Sequence, residues 1–344
     1  MRQNRLGQKL SIAGVALVAL IAGMFFLLQQ ATNSRNATKV CIPIYAADVM
    51  CYGHREQLTA HKSTVIAVSS TGTVLASGYQ NTIELWDLKT RSPMPTLIDH
   101  DGLISAIAIS PDEKILASSS LDGTIKLWDL PNHRLVSTIK SGRASNLAFS
   151  PDGLTLASSS RVQRWADGAS SPGGVQIWDL ASRQRIYGLG NQAVREIAFS
   201  RDGQLLAAGD RNKTELWQMR DGERLKVLNS GEVTGLVFCQ DGQTLITGSS
   251  RLKLWDLRNG VLLHEFDAGA SDLVLSPDGQ TLATSAGGSV HLWHLLSERS
   301  LGTMPANAFS SVFVEFALEG QAIVAGGTNG IKIWWDLNAE TQVP

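Results

Sequence analysis

At 344 residues, 43% hydrophobic and 18% charged, the chain is long and apolar enough to bury a sizeable core. A net charge of −1 and a pI near 6.7 supply no overall pull toward nucleic acid or anionic lipid, which argues against an electrostatic nucleic-acid binder.

The first segment differs in kind from the rest. Arg2, Arg5 and Lys9 precede an uncharged run over residues 10–28, LSIAGVALVALIAGMFFLL. As a helix this run would span about 29 Å, close to the roughly 30 Å hydrocarbon core of a bilayer, so one transmembrane helix is expected. Arg35 and Lys39 lie further off, beyond a polar spacer, so the positive-inside rule puts the N-terminus in the cytoplasm. The remainder would then face the exoplasmic side, periplasmic or lumenal. A cleaved signal peptide is the competing reading, since it shares the basic start and apolar run. Its core is typically about 7–15 residues and ends in small residues at alternate positions. Here Ala31 and Ala37 have Gln29 and Arg35 at those places. The expected organisation is a basic tail (1–9), a signal anchor (10–28), a polar tether (29–40) and one globular body (41–344).

Cys41 and Cys51 follow the tether, ten residues apart. In an oxidising exterior they could bridge, contributing about 2–4 kcal/mol if unstrained; two reduced thiols are the alternative. Cys239 takes the serine place of a later turn and reads as a small buried residue.

From there a period governs the chain. Trp86, Trp128, Trp178, Trp217, Trp255, Trp293 and Trp335 recur at gaps of 42, 50, 39, 38, 38 and 42 residues. Five are followed by aspartate (Asp87, Asp129, Asp179, Asp256, Asp336), and each ends a short alternating run such as TIELW or TIKLW, the pattern of a strand with one buried face. A turn precedes each in the style of Ser150-Pro151-Asp152-Gly153, with fixed φ, a side-chain acceptor and a residue free of Cβ where a tight reversal needs them. Ser70-Thr71-Gly72 and Leu318-Glu319-Gly320 are weaker versions. Each unit therefore reads strand, turn, strand, turn, strand ending in Trp-Asp, with a more variable fourth strand after it.

Four strands per roughly 40–45 residues with this signature match a β-propeller blade. Over residues 50–337 the chain resembles the WD-repeat family, and the Ser-Pro-Asp-Gly turns and Ser-Ser-Ser stretches are similar to those of bacterial, cyanobacterial members. The expected fold is all-β, a seven-bladed propeller behind one N-terminal transmembrane helix. Nine residues follow Trp335, too few for a turn and a full outer strand, so residues 53–60 are expected to complete the seventh sheet and seal the ring.

The repeats are degenerate: Gln218 follows Trp217 and His294 follows Trp293. Blade two retains a candidate buried network of His100, Ser118 or Ser119, Asp122 and Trp128, whose donors and acceptors could satisfy one another. Other blades are expected to rely more on apolar packing.

Catalytic and cofactor motifs find no match: no Walker-type phosphate loop, no Gly-x-Ser-x-Gly, no His-Glu-x-x-His and no Cys-x-x-Cys. His291 and His294 stand three apart on a strand, on opposite faces, and would not converge on one metal ion. The aspartates after the tryptophans read as turn caps spaced around a rim, not as paired catalytic carboxylates. No catalytic, cofactor or metal residue is therefore assigned.

A binding surface remains. The turn between the second and third strands of each blade shares a rim with the interblade connections, and the resemblance implies that this face is offered to protein partners. Blade three carries an insertion there, residues 161–174, RVQRWADGASSPGG. Its Trp165 belongs to no blade period and is either a local anchor or a partner contact; tryptophan and arginine dominate interface hot spots. The rim over blades three to five gathers Lys140, Arg143, Arg161, Arg164, Arg211, Lys213 and Arg251 against Asp167, Asp210 and Glu232, while blades one and two offer Asp99, Asp101 and Asp122. This suggests docking of an acidic peptide or protein segment; a solvated rim without a partner is the alternative. The resemblance implies a noncatalytic, membrane-tethered scaffold for protein interaction. A propeller enzyme, lactonase-like hydrolase or quinone-dependent oxidoreductase, and an envelope assembly protein remain as rival classes, because fold alone does not fix function.

Overall fold

The computed structural model describes residues 40–45, 48–59, 62–160, 163–164, 170–171, 173–190, 192–306, 313–327 and 329–336. Of residues 40–57, 59, 163, 164, 170 and 171 it describes the backbone alone. The expected transmembrane run at 10–28, the tether through residue 39, Arg161 and Trp165 lie outside the described residues. Among the described residues no helix is long and apolar enough to cross a membrane.

Seven antiparallel sheets follow one another in chain order. Blade two is representative: Ile104–Ile109, Ile115–Ser120, Thr124–Asp129 and Arg134–Lys140 pair as a four-stranded meander. The first strands of successive blades pack side by side around the molecule, and that of blade seven (Phe313–Ala317) returns to that of blade one (Val65–Val68). The ring is closed.

Closure uses the two ends of the body. Strand β1 (Val40–Tyr45) pairs with β2 (Asp48–Thr59), and β2 runs antiparallel to Gly330–Asp336, the third strand of blade seven, with His54 opposite Trp335 and Glu56 opposite Ile333. Residues 53–59 thus complete the seventh sheet. The strand begins earlier than the sequence suggested, and β1 adds a fifth strand, so the sheet order is β1, β2, Gly330–Asp336, Ala322–Gly327, Phe313–Ala317.

Local chemistry explains the turns. At Ser150-Pro151-Asp152-Gly153 the Ser150 hydroxyl donates to Asp152 Oδ1 at 2.5 Å, Asp152 Oδ1 accepts from Leu154 N at 2.9 Å, and Gly153 sits at φ +71°, where a Cβ would be strained. The aspartates after the marker tryptophans cap the next turn: Asp87 accepts from the amides of Lys89 and Thr90, and Asp179 from that of Ser182.

Seven apolar clusters fill the seams between neighbouring blades. Ile83 and Leu85 of blade one pack with Ile104, Ile107, Leu116 and Trp128 of blade two, and Ala207 and Leu216 of blade four with Leu245 and Trp255 of blade five. In blades two to six the marker indole faces the preceding blade. Blade seven differs: Trp334 takes that place against blade six, while Trp335, the tryptophan in the period, faces blade one on the other side of the strand. Adjacent residues of a strand point to opposite faces, so both indoles are buried and each fills a different seam.

Candidate interaction rim

Backbone bonds define one rim. The connection between blades one and two reaches the second-to-third turns through Ile104 N to Gln80 O (2.6 Å) and Asp101 N to Asp122 Oδ2 (3.1 Å). The same arrangement recurs at Gly231 N to Asn212 O (3.0 Å) and Ala270 N to Ser249 O (2.7 Å).

Under this rim blade two holds a continuous polar chain. His100 Nδ1 lies 2.7 Å from Asp122 Oδ2, His100 Nε2 lies 2.8 Å from Ser118 Oγ, and the Trp128 indole donates to Ser118 Oγ at 2.9 Å. Ser118 is the member that joins; Ser119 bonds to Ser105 and to the Ala144 carbonyl instead. The chain closes when His100 carries its proton on Nδ1, because Ser118 then donates to Nε2 while accepting from the indole. Burial alone would raise the Asp122 carboxyl, but hydrogen bonds from Thr124 and His100 outweigh it and hold it at about 2. Other blades keep half of the arrangement: Trp178 donates to Ser158, Trp255 to Thr247 and Trp293 to Thr284, at 2.9, 3.0 and 3.1 Å. The indole nitrogens of Trp86 and Trp335 find no hydrogen-bond partner among the described residues, although the Arg91 guanidinium lies 4.4 Å over the Trp335 ring.

Of the cations named from sequence, Arg143, Lys213 and Arg251 are engaged among the described residues. Arg251 pairs with Glu265 (2.9 Å) and Asp267 (3.5 Å), Lys213 with Glu215 (2.7 Å), and Arg195 meets Glu232 (2.6 Å). Arg143 is exposed and donates to the Leu121 carbonyl at 3.0 Å. Arg211 is exposed and forms no ion pair among the described residues. Of the blade-three insertion, Gln163 and Arg164 pair in a two-residue ladder with Ser171 and Ser170, and Gly174 already begins the third strand. His291 bonds to Thr303 and His294 to Ser297.

One feature of the rim escaped sequence reasoning. Ile98, Leu103 and Leu121 are 62%, 54% and 42% exposed. Leu121 N donates to Leu103 O at 2.9 Å and the Arg143 guanidinium bonds to the Leu121 carbonyl, so the two leucines and the arginine form one patch. Asp99, tied to Lys126, and Asp101 border it. Leu103 in a connection and Leu121 in a turn, where polar residues are usual, were the available signal.

Two open grooves lie elsewhere. One, of about 480 Å³, is lined by Lys140, Gln176, Trp178, Arg183 and Arg185; the other, of about 600 Å³, includes Asp152, Tyr187, Phe199, Met219 and Arg220. The first gathers three cations with no carboxylate in its lining. Where the first strands converge, three half-buried carboxyls come together from blades four, six and seven: Glu196, Asp272 and Glu315. Asn146 Nδ2 donates to Glu196 at 2.6 Å and the amide of Val314 to Asp272 at 2.9 Å.

Similarity to known proteins agrees with this architecture. Part of the chain is 31% identical over 121 residues to the mouse (Mus musculus) periodic tryptophan protein 2 homolog, covering 33% of this chain and 13% of that protein. It is 30% identical over 96 residues to the small ribosomal subunit protein RACK1y of Oryza sativa subsp. japonica, covering 27% and 29%, and 36% identical over 91 residues to the nuclear distribution protein nudF of Aspergillus terreus, covering 26% and 20%. The chain thus spans less than a third of the length of each of these relatives. The WD40 model, described as WD domain, G-beta repeat, matches residues 53–87, 91–129, 183–217, 222–256 and 260–294. With just over half of its sequence in such repeats, set in a closed ring of seven sheets, the chain belongs to the WD40 family.

Proposed function

We propose that the protein is a noncatalytic scaffold that presents the rim of blades one to three to a protein partner. The observation that carries this reading is the exposed patch of Leu103 and Leu121 beside Arg143. Exposed leucines gain about 25 cal/mol for each Å² covered by a partner, and a guanidinium at the edge adds directional hydrogen bonding. The name of one relative places it in the small ribosomal subunit, an assembly of many chains, which supports the use of such repeats as contact surfaces.

An acidic segment is the proposed chemistry of the partner's flank. Arg143 and Arg211 on the rim, with Arg161 and Arg164 of the insertion, would meet it, and Trp165 would serve as an aromatic contact. The pairing of Arg251 and Lys213 with carboxylates confines this attraction to fewer residues than the seven rim cations read from sequence. The proposed location is a membrane, through a helix at residues 10–28 with the propeller on the exoplasmic side; the support is the length of that apolar run and the basic residues before it.

Crosslinking of the full chain in intact membranes tests both parts. Proteins captured by the wild type should be lost from Leu103→Asp/Leu121→Asp, whose positions are already exposed and whose ring should therefore remain folded. Capture of the same proteins at the same yield by the double variant would remove the rim proposal. Recovery of the chain in the soluble fraction after carbonate washing would remove the anchor.

A further inference from the structure

The N-terminal hairpin places two of the three cysteines directly opposite each other. In the register of β1 and β2, Val40 faces Tyr52, Cys41 faces Cys51 and Ile42 faces Met50. Residues directly opposed in an antiparallel pair lie on the same face of the sheet, with Cα atoms about 4.5 or 5.5 Å apart depending on the hydrogen-bonding type of the pair. Both spacings fall inside the roughly 4.4–6.8 Å that a disulfide spans. Spacing in sequence could not decide this, since a shift of β1 by one residue would put the two cysteines on opposite faces.

The fold gives such a link a task. β2 is the strand that seals the ring, through its ladder to Gly330–Asp336, and β1 lies along its other edge. β1 therefore covers what would otherwise be the open edge of the closing strand, a template for unwanted strand pairing. The ladder to β2 is the strand pairing that holds β1 in this sheet. The third cysteine, Cys239, is no competitor: it is buried in blade five, and burial, with the charge of Asp241 adding to it, pushes its thiol up to about 12.

We propose that Cys41 and Cys51 form a cross-strand disulfide that latches β1 onto the ring-closing strand. Formation by oxidised glutathione is balanced. One thiolate attacks a glutathione sulfur and expels glutathione thiolate; the second attacks the resulting mixed disulfide at the protein sulfur and expels another. Two protein thiols and one oxidised glutathione give one protein disulfide and two reduced glutathiones.

The test uses the full chain equilibrated in an oxidised and reduced glutathione buffer, then quenched with acid, unfolded, alkylated and digested with trypsin. Cleavage after Lys39 and Arg55 leaves both cysteines in the one peptide 40–55. That peptide should be recovered without alkyl groups and lighter by two hydrogens, while the Cys239 peptide is alkylated. In Cys41→Ser and in Cys51→Ser the remaining cysteine should be alkylated or glutathionylated. Hydrogen exchange of the β1 amides should be several-fold faster in either variant than in the bridged protein, with the amides of Ala322–Gly327 unchanged. A doubly alkylated peptide, a stable mixed disulfide or a link between two chains in the wild type would overturn the bridge. A bridge that leaves β1 exchange unaffected would overturn the latch.

Discussion

The carboxyl of Glu196 offers a sharp test of the ring's interior. It stands on the first strand of blade four, and burial, then the charge of Asp272 from blade six, push it up to about 8, against the hydrogen bond from Asn146 and the charge of Arg195. Asp272 is raised by burial to about 6, and Glu315 by burial and by Asp272 to about 8. A carboxyl raised in the folded state costs nothing where both states are protonated. Its penalty begins as pH rises through the ordinary value of 4.5 and grows until the folded value is passed. At neutrality the gap of about two and a half pH units, at about 1.4 kcal/mol each, amounts to about 3.5 kcal/mol. This is an upper figure, since the three carboxyls share one repulsion. Glu196→Gln is neutral at every pH and keeps a carbonyl oxygen to accept from Asn146. It should raise the melting temperature by roughly 5 °C near pH 7.5 and leave it unchanged near pH 4. The assay is a calorimetric melt of wild type and variant across that range. An equal shift at both ends, or destabilisation near pH 7.5, would refute the claim that the wild-type group is held protonated by burial and a neighbouring charge. Asp272→Asn should gain less, because Asp272 accepts from two backbone amides, Leu273 and Val314, and an asparagine oxygen replaces only one of the two carboxylate oxygens.

Blade two yields further expectations. Ser118→Ala removes the hydroxyl shared by His100 and Trp128, leaving two buried polar groups unmatched, and should cost about 2–4 kcal/mol in denaturant unfolding. Thr247→Val in blade five strands the Trp255 indole alone and should cost about 1–2 kcal/mol. Asp122 is depressed from 3.8 to about 2, so it contributes stability above the ordinary value that is lost as pH falls through the folded one; an acid titration of stability should lose about 2 kcal/mol less in Asp122→Asn. Gly153→Ala should destabilise by about 1 kcal/mol through its positive φ alone, because the nearest atom to an added Cβ is Pro111 Cδ at 3.9 Å.

Short-range chemistry was legible before any coordinates. The tryptophan period, the alternation of each strand and the serine, aspartate and glycine of each turn act within a few residues, so the number of blades and their internal order could be read directly. The need for residues before the first blade to finish the last sheet followed from counting strands. The same locality explains what could not be read. Trp334 and Trp335 are neighbours in sequence, and only the packing of blade seven decides which indole faces which blade. Arg251 looked like free rim charge until the pairing of strands in blade five brought Glu265 beside it, and Glu232, read as a rim anion, meets Arg195 from another connection. Leu103 belongs to the connection between two blades and Leu121 to a turn of the second, so their patch exists only once that connection lies against blade two. Glu196, Asp272 and Glu315 lie 76 and 43 residues apart along the chain and share an electrostatic environment because seven first strands converge on one axis. The amino-acid sequence by itself determined the repeat and its seven-fold count, since each blade is specified by contacts within itself. The cluster of buried carboxyls, the patch of exposed leucines and the facing of the two cysteines were decided by strand register and packing, because those groups meet only once strands are paired and blades set side by side.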